Sequence, residues 1–549
     1  MPEFDDSKKL EIKNRIASWD RTETNTAATL QDLHLTREEV ERLMWDTRGR
    51  WVFPGDNEYE ERRKLFYNNF KYILPLAIAV CHTESDVQCF LKCIYRLHQR
   101  GFKVPFAPRS GGHSTAGYST VQSGIMLDLR ELNDQMFDPK QNVISVGPGV
   151  QFRDFYRVLD SYGRFTPGAI FPELCVGGYM QGGGYGFGSR MFGMNCDNVI
   201  NLTVVLANGR LVQANEKVNA DLFWAIRGGT GNNFGIVTQV TYKTYEAPQF
   251  GAIAMRWKID TNDKAQQGAE VMDLMQRKFM GSNRDRTFGY MVLFHFLEED
   301  DEKVPYLLMR TVYIGKYGTG SDLLKDLIAI EGCEVEWEAN SSYPDLNSRL
   351  MGYDKYDNKT QFTNTNIEDL PSQEKQSRFF KKKLGIDSWK AVIDHFRSAK
   401  SEFNCLPKLH IEPGGAAIDD TKRGGNAYIH RKDDFNAFLN VYWKDNSEKE
   451  KALCFLNKWL EIVGDSPYQE AYQNYPKPYV DNWSQRYWAE YYPCLCAVKQ
   501  KYDPHNLFRF QQSVGSDGGP CPKDSMERAK GLLPDLAEHF DKPIEYLCP

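Results

Sequence analysis

Long apolar runs are missing from this chain of 549 residues. The longest, "YILPLAIAVC" at 72–81, covers about half a membrane span and carries a proline, so a bilayer-crossing helix is excluded as its reading. The opening stretch "MPEFDDSKKLEIKNR" is charged and lacks the apolar core of a secretory signal, so the expectation is a cytoplasmic protein. A dominant charge is missing too. The 68 Lys and Arg against 74 Asp and Glu leave −6, without the footprint that nucleic acid or an anionic membrane requires. The 12 cysteines lack the regular spacing of a disulfide scaffold or a four-cysteine zinc site, and Cys494 and Cys496 read as packing residues. Internal repeats and low-complexity tracts are absent, and the chain specifies no oligomeric state.

Two nucleotide-binding signatures are also missing. No Gly-x-Gly-x-x-Gly opens a helix behind a strand, and no glycine loop ends in Lys-Ser or Lys-Thr. What the chain has instead is three other glycine-rich loops: "RSGGHS" (109–114), "VGGYMQGGGYG" (176–186) and "RGGTGNNFG" (227–235). Glycine serves where φ must be positive or where a ligand presses on the backbone. Bare backbone N–H groups in such loops form concave sites for a pyrophosphate. Three loops within one region, each flanked by strand-like runs, point to a nucleotide cofactor held by a different fold.

The elements around them are mixed. "LTREEV" reads as a capped helix start, with Thr36 as N-cap, Glu39 closing the box and Leu35 stapled to Val40. Helices are expected in "ESDVQCFLKCIYRLHQRG" and "QFRDFYRVLDSYG", and strands in "SGIMLDL" and "NVISVGPG". "VINLTVVLANGRLVQAN" is a hairpin around Asn208-Gly209. Beyond 246, amphipathic helices alternate with strand candidates such as "YMVLFHFLE", "YLLMRTVYIG" and "FNAFLNVYW". The class is α+β. The expected division is a helical segment (1–70), a cofactor-binding part (71–245), a second domain (246–470), a C-terminal part (471–515) that returns to the first, and an exposed helical tail (516–549).

"PRSGGHS", "VGGYMQGGGYG", "GGTGNNFGIVT" and "YYPCLCAVKQKYDPHNLFRFQQSV" occur in an order and spacing that resembles the berberine bridge enzyme-like branch of the vanillyl-alcohol oxidase flavoprotein superfamily. The resemblance covers roughly 70–245 and 470–515. It implies a split FAD domain with an inserted substrate domain carrying a broad antiparallel sheet backed by helices. It further implies that His113 bonds covalently to the flavin, within a cradle of Arg109, Ser110, Gly111, Gly112, Ser114, Leu174, Cys175, Gly177, Gly178, Tyr179, Gly182, Gly183, Gly184, Gly235, Ile236, Val237 and Asn474.

Many relatives add a second flavin link through a cysteine in Cys-Pro-x-Val-Gly-Val-Gly-Gly-His. Here "FPELCVGGY" puts Phe171 at that cysteine's place, with Cys175 four residues on. Read as strand-like, four residues displace a side chain by about 13 Å, so one covalent bond is expected, through His113, with Cys175 a small buried neighbour. Tyr179 stands where the pattern has histidine, and Leu174 occupies the position that in relatives stands beside the oxygen-facing side of the flavin.

The chemistry implied is hydride removal from C–OH, C–N or activated C–H of a small molecule, followed by electron transfer to molecular oxygen with hydrogen peroxide as product. In relatives a Tyr-x-Asn-Tyr segment supplies the base. Here that is Tyr472, Asn474 and Tyr475, with Tyr475 the expected base and Tyr185 a second tyrosine able to share the proton. A phenol near pKa 10 needs a cation or hydrogen bonds to act at neutral pH, and Lys477 reads equally as that cation or as a solvent-facing charge. Alternation places Asn440 and Tyr442 on one face of "FLNVYW"; that strand carries no carboxylate. His430 and Arg431 read equally as structural or cavity-lining. A flavin dehydrogenase, an oxidative cyclase, a carbohydrate oxidase and a non-catalytic flavin scaffold are the other readings the sequence leaves open.

Overall fold

The computed structural model describes residues 32–36, 38–39, 49–281, 285–352, 371–466 and 469–547. The expected helix cap is present: Thr36 N–H donates to Glu39 and Glu39 N–H to Thr36 Oγ1. Val40, its proposed staple, lies outside the described residues.

Among the described residues the three larger of four sheets position the site. The first has four strands in the order Arg50–Val52, Ala77–Val80, Ile125–Asp128, Phe106–Arg109. The last three run parallel, and Arg50–Val52 joins the edge antiparallel, so this sheet begins ahead of residue 71. Helix Glu84–Gln99 makes one crossover and is boxed at its start by Thr83 and Asp86. The second sheet has five strands, all antiparallel neighbours, with Ile236–Lys243 at its centre. Its hairpin turns at Asn208-Gly209 as the sequence indicates, with Gly209 at φ +75°.

The third sheet is the broad antiparallel one, seven strands in the order Cys333–Asn340, Phe250–Lys258, Glu302–Ile314, Phe288–Glu299, Lys408–Pro413, Phe435–Trp443, Ser372–Phe380. Strand residues alternate between faces. Leu409 and Ile411, with Phe435, Ala437, Leu439, Val441 and Trp443, enter one apolar core with helices Asn262–Lys278, Ile386–Glu402 and Lys449–Ile462. Their neighbours in sequence face the other way, towards the glycine loops.

The C-terminal stretch returns to the first part of the chain. Lys499, on helix Tyr492–Tyr502, is 4% exposed and donates to the carbonyls of Asn233 and Phe508 and to Asp503. This anchors the segment beneath the 227–235 loop. Two expectations are corrected here. Cys496 is not simply packed but joined to Cys521 by a disulfide, while Cys494 stays free and buried. The tail is helical, yet not loose: Phe540 and Ala529 are buried in the core, and Leu547 N–H donates to Leu211 O. Its apolar residues find a hairpin edge that sequence order does not reveal. No described helix is long and apolar enough to cross a membrane.

Candidate active site

Between the glycine loops and the inward face of the seven-stranded sheet lies a cavity of about 710 Å³, within the range of small-molecule and cofactor sites. Loop 109–114 leaves the end of strand Phe106–Arg109 and carries His113 to the wall. The imidazole stacks on Phe66 at 4.3 Å between ring centroids. Burial, with Arg109 and Lys375 nearby, pulls its pKa down to about 3, so the ring is neutral.

Most of the residues that the sequence singled out meet here: Ser110, Gly111, Gly112, His113, Ser114, Leu174, Cys175, Gly178, Tyr179, Tyr185, Gly235, Ile236, Val237, Asn440, Tyr442, Asn474 and Tyr475 all line the cavity. Five do not. Arg109 turns away and donates to the carbonyls of Arg62 and Lys64. Gly177 packs on Pro148 and Ser110, where a Cβ would stand 2.6 Å from each. Gly182 faces the Asn474 amide, Gly183 (φ +120°) the Tyr428 ring and Gly184 (φ +81°) the Tyr179 ring. These glycines are bare because protein presses on them, not because the cavity does.

The strand reading of 171–175 is also corrected. The segment is a turn, closed by Leu174 N–H donating to Phe171 O at 3.3 Å, so extended-chain distances do not apply. Phe171 and Cys175 both border the cavity. The Cys175 thiol donates to Gly149 O at 3.4 Å, and burial pushes its pKa up to about 12, which keeps it a neutral thiol.

Opposite the loops, four strands build a polar floor. Tyr475 donates its hydroxyl hydrogen to Glu412 Oε1 at 2.7 Å, and Asn436 Nδ2 donates to Glu412 Oε2 at 2.8 Å. Burial raises the Glu412 pKa to about 7, against the pull of those two bonds and of Lys375. The Lys375 ammonium lies 4.6 Å from the centre of the Tyr475 ring and 5.1 Å from that of Phe438, a cation–π arrangement. Burial brings its pKa down to about 8. His295 and His410 share a hydrogen bond, Nε2 to Nε2, at 3.1 Å, and burial holds both well below the usual range. Asn440 Nδ2 donates to Tyr442 at 3.3 Å, and the Asn440 carbonyl oxygen is buried without a hydrogen bond.

Sequence reasoning missed Glu412, Lys375, His295 and His410. A signal existed: in "KLHIEP" polar Lys408, His410 and Glu412 alternate with apolar Leu409, Ile411 and Pro413. The carboxylate absent from strand Phe435–Trp443 is supplied by its neighbour, in register as Glu412 opposite Asn436. Lys477 is not the cation at Tyr475; it pairs with Glu374 at 3.0 Å. Tyr185 is not joined to Tyr475, because its hydroxyl donates to Pro413 O at 2.9 Å. Tyr472 contacts Gly184 N–H at 2.8 Å. Arg431 is structural, paired with buried Asp197 at 2.7 Å, and His430 lies outside the main cavity against Glu470.

The residues present fit a flavin nucleotide. Nothing lies within 4 Å of where a Gly178 Cβ would stand, so the backbone is open there. The Tyr118 hydroxyl at the wall is buried without a hydrogen bond.

Comparison with known proteins agrees. Residues 75–215 match the FAD binding domain family, and 471–515 match the family described as berberine and berberine like. An uncharacterized FAD-linked oxidoreductase of Bacillus subtilis (strain 168) is 27% identical over 482 residues, covering 85% of this chain and 98% of that protein. A carbohydrate oxidase of Microdochium nivale is 28% identical over 498 residues, covering 84% and 92%. In fold, the xylooligosaccharide oxidase of Myceliophthora thermophila C1, solved with xylobiose, superposes with TM-score 0.75 at 22% identity, covering 88% of this chain and 99% of that one.

Proposed function

We propose that this chain, an FAD-dependent oxidoreductase of the berberine bridge enzyme-like kind, oxidises a carbinol of a small hydroxylated substrate, with Tyr475 and Glu412 together taking the hydroxyl proton. The observation that carries this reading is the Tyr475–Glu412 bond of 2.7 Å, facing the cavity under the Lys375 cation.

A tyrosine alone is a weak base at neutral pH. Here Glu412 accepts the phenolic hydrogen, so proton removal from substrate ends on a carboxyl group held at about 7. Lys375 steadies the phenolate that forms on the way. Asn436 fixes the carboxylate from its other oxygen. The neutral His295–His410 pair and the Asn440 carbonyl oxygen offer donors and acceptors to further hydroxyl groups. That inventory, with the carbohydrate oxidases among its relatives, favours a saccharide.

The bound cofactor supplies the two-electron acceptor chemistry, with molecular oxygen as final acceptor and hydrogen peroxide as product. His113 carries its single covalent bond. A neutral imidazole at the cavity wall supports this, and the thiol of Cys175, held by Gly149, supports the absence of a second link. Gly178, open where a Cβ would stand, leaves room for the cofactor.

Two measurements test the reading. Acid-denatured holoenzyme should keep its yellow colour, with the flavin mass on the His113 peptide and none on the Cys175 peptide. A panel of mono- and oligosaccharides, mixed anaerobically with it, should bleach that colour, and admitting oxygen should yield one peroxide per bleaching event. Bleaching without peroxide would make it a dehydrogenase; no bleaching with any hydroxylated compound would sink the proposal.

A further inference from the structure

Glu412 has a second side. Behind it lies a small cavity of about 10 Å³, enough for about one water molecule. Glu412, Asn436 and Tyr185 form one part of its wall, and Asp433 and His430 another. Three oxygens of these wall residues are buried without a hydrogen bond: Asn436 Oδ1 and both carboxyl oxygens of Asp433. Asp433 is 3% exposed. Burying a carboxyl group with neither oxygen hydrogen-bonded is costly, and neither the sheet packing nor the Tyr475 chemistry draws on it.

The charged surroundings of Asp433 lead outwards. Lys381 Nζ stands 4.0 Å from Asp433 Oδ1, and the lysine side chain is 52% exposed. Glu470, Arg423 and Asp419 also face Asp433; with burial, Glu470 and Asp419 raise its pKa well above the carboxylate range, against Lys381 and Arg423. Glu470 itself is engaged by Lys381 at 2.8 Å, Arg423 at 3.0 Å and His430 Nδ1 at 2.7 Å. Gln473 donates Nε2 to Gly228 O, which turns its Oε1 to His430 Nε2 and requires a proton there. Glu470 is thus held by Lys381 and Arg423, and Asp433 is the carboxyl group left with no hydrogen bond.

We propose that Asp433 is the proton-exit residue of this active site, taking through one water in the back cavity the proton that Glu412 receives and releasing it to solvent around Lys381. The inference rests on Glu412 being the proton acceptor. Each turnover leaves one proton on Glu412. The Glu412 O–H bond breaks as the water gains that proton. The water passes a different one to an Asp433 oxygen, as the proton already on Asp433 leaves for bulk water. No electrons move. The front of Glu412 faces substrate, so the rear route allows it to reset while product still occupies the main cavity.

The test is Asp433→Asn in the FAD-loaded enzyme. First-turnover reduction above pH 7 should be unchanged, because Glu412 starts ionised. Steady-state kcat should fall about tenfold or more, as loss of a proton-transfer group does. Its solvent deuterium isotope effect should rise, and millimolar formate or imidazole should restore turnover. Asp433→Glu should retain most of the rate. As a readout independent of turnover, infrared pH titration should resolve two buried carboxyl bands, assigned by their loss in Asp433→Asn and Glu412→Gln. Each should shift when the other residue is replaced. Unchanged kcat and isotope effect, or bands that ignore each other, overturn the proposal. If Asp433→Asn does not fold, Lys381→Met should raise the same isotope effect, and no rise would count equally against it. A Glu412→Gln variant reduced as fast as wild type would instead remove the reading of Glu412 beneath it.

Discussion

The two faces of the seven-stranded sheet are made of the same strands and behave as different materials. On the helix side, Leu409, Ile411, Leu439 and Val441 are at most 3% exposed and sit in a continuous apolar core. On the cavity side, one residue along in each case, stand His410, Glu412, Asn440 and Tyr442. Close packing gives the first face its worth, and each lost methylene is felt there. The second face has buried titratable groups whose protonation is shifted by that same burial. Stability is therefore invested in one face and chemistry in the other, with the peptide backbone fixing the register between them.

Substitutions on the two faces should separate accordingly. The largest effect is expected for Glu412→Gln, a fall of about 10²–10⁴ in the rate of reduction by substrate, read by rapid anaerobic mixing. Its stability should hold over the pH range in which wild type loses the contribution of this group. Glu412 is held at about 7 in the fold against 4.5 ordinarily, so the fold favours its protonated form. That stabilising contribution is complete below 4.5 and lost as pH climbs through 7. Urea midpoints across this range should show a slope in wild type that the glutamine variant lacks.

Ile411→Ala, one residue away and fully buried, should do the reverse. It should cost about 2–5 kcal/mol of unfolding free energy, while the folded fraction keeps its reduction rate and pH profile. A variant here that altered the pH profile would break the comparison.

Lys375→Met should sharpen it. Activity in wild type should rise through about 7 as Glu412 ionises and fall through about 8 as Lys375 loses its proton. The methionine variant should be roughly tenfold slower, about the worth of one buried cation–π contact, and should lack the upper limb. The smallest effect is expected for Tyr185→Phe. Its hydroxyl only caps Pro413 O, so about 1 kcal/mol of stability and a small change in rate are expected, checked by denaturation and single-turnover kinetics.

Local pattern is enough where a feature depends only on neighbours in the chain. Alternation in "FNAFLNVYW" places Asn440 and Tyr442 together, and Asn208-Gly209 marks a hairpin, because both depend on residues adjacent in the chain. The glycine loops could not be divided in the same way. Gly178 opens to the cavity while Gly183 and Gly184 are pressed by Tyr428 and Tyr179, and all three are the same letter in one motif. Cys175 misled for a related reason: distance along a strand was the wrong measure for a segment that turns.

The cofactor class, the α+β character and the His113 loop were determined by the sequence itself, since glycine pattern, strand period and motif order are properties of a chain read in line. The partner of Tyr475 was decided only by tertiary structure. Glu412 lies 63 residues from Tyr475 in the chain, on a strand aligned by its pairing with Phe435–Trp443. Its proton affinity comes from burial. Lys477 adjoins the motif in the chain and Lys375 does not, yet packing placed Lys375 over the tyrosine ring and Lys477 against Glu374. Charge in a protein acts through space and local dielectric, and neither is written in the order of residues.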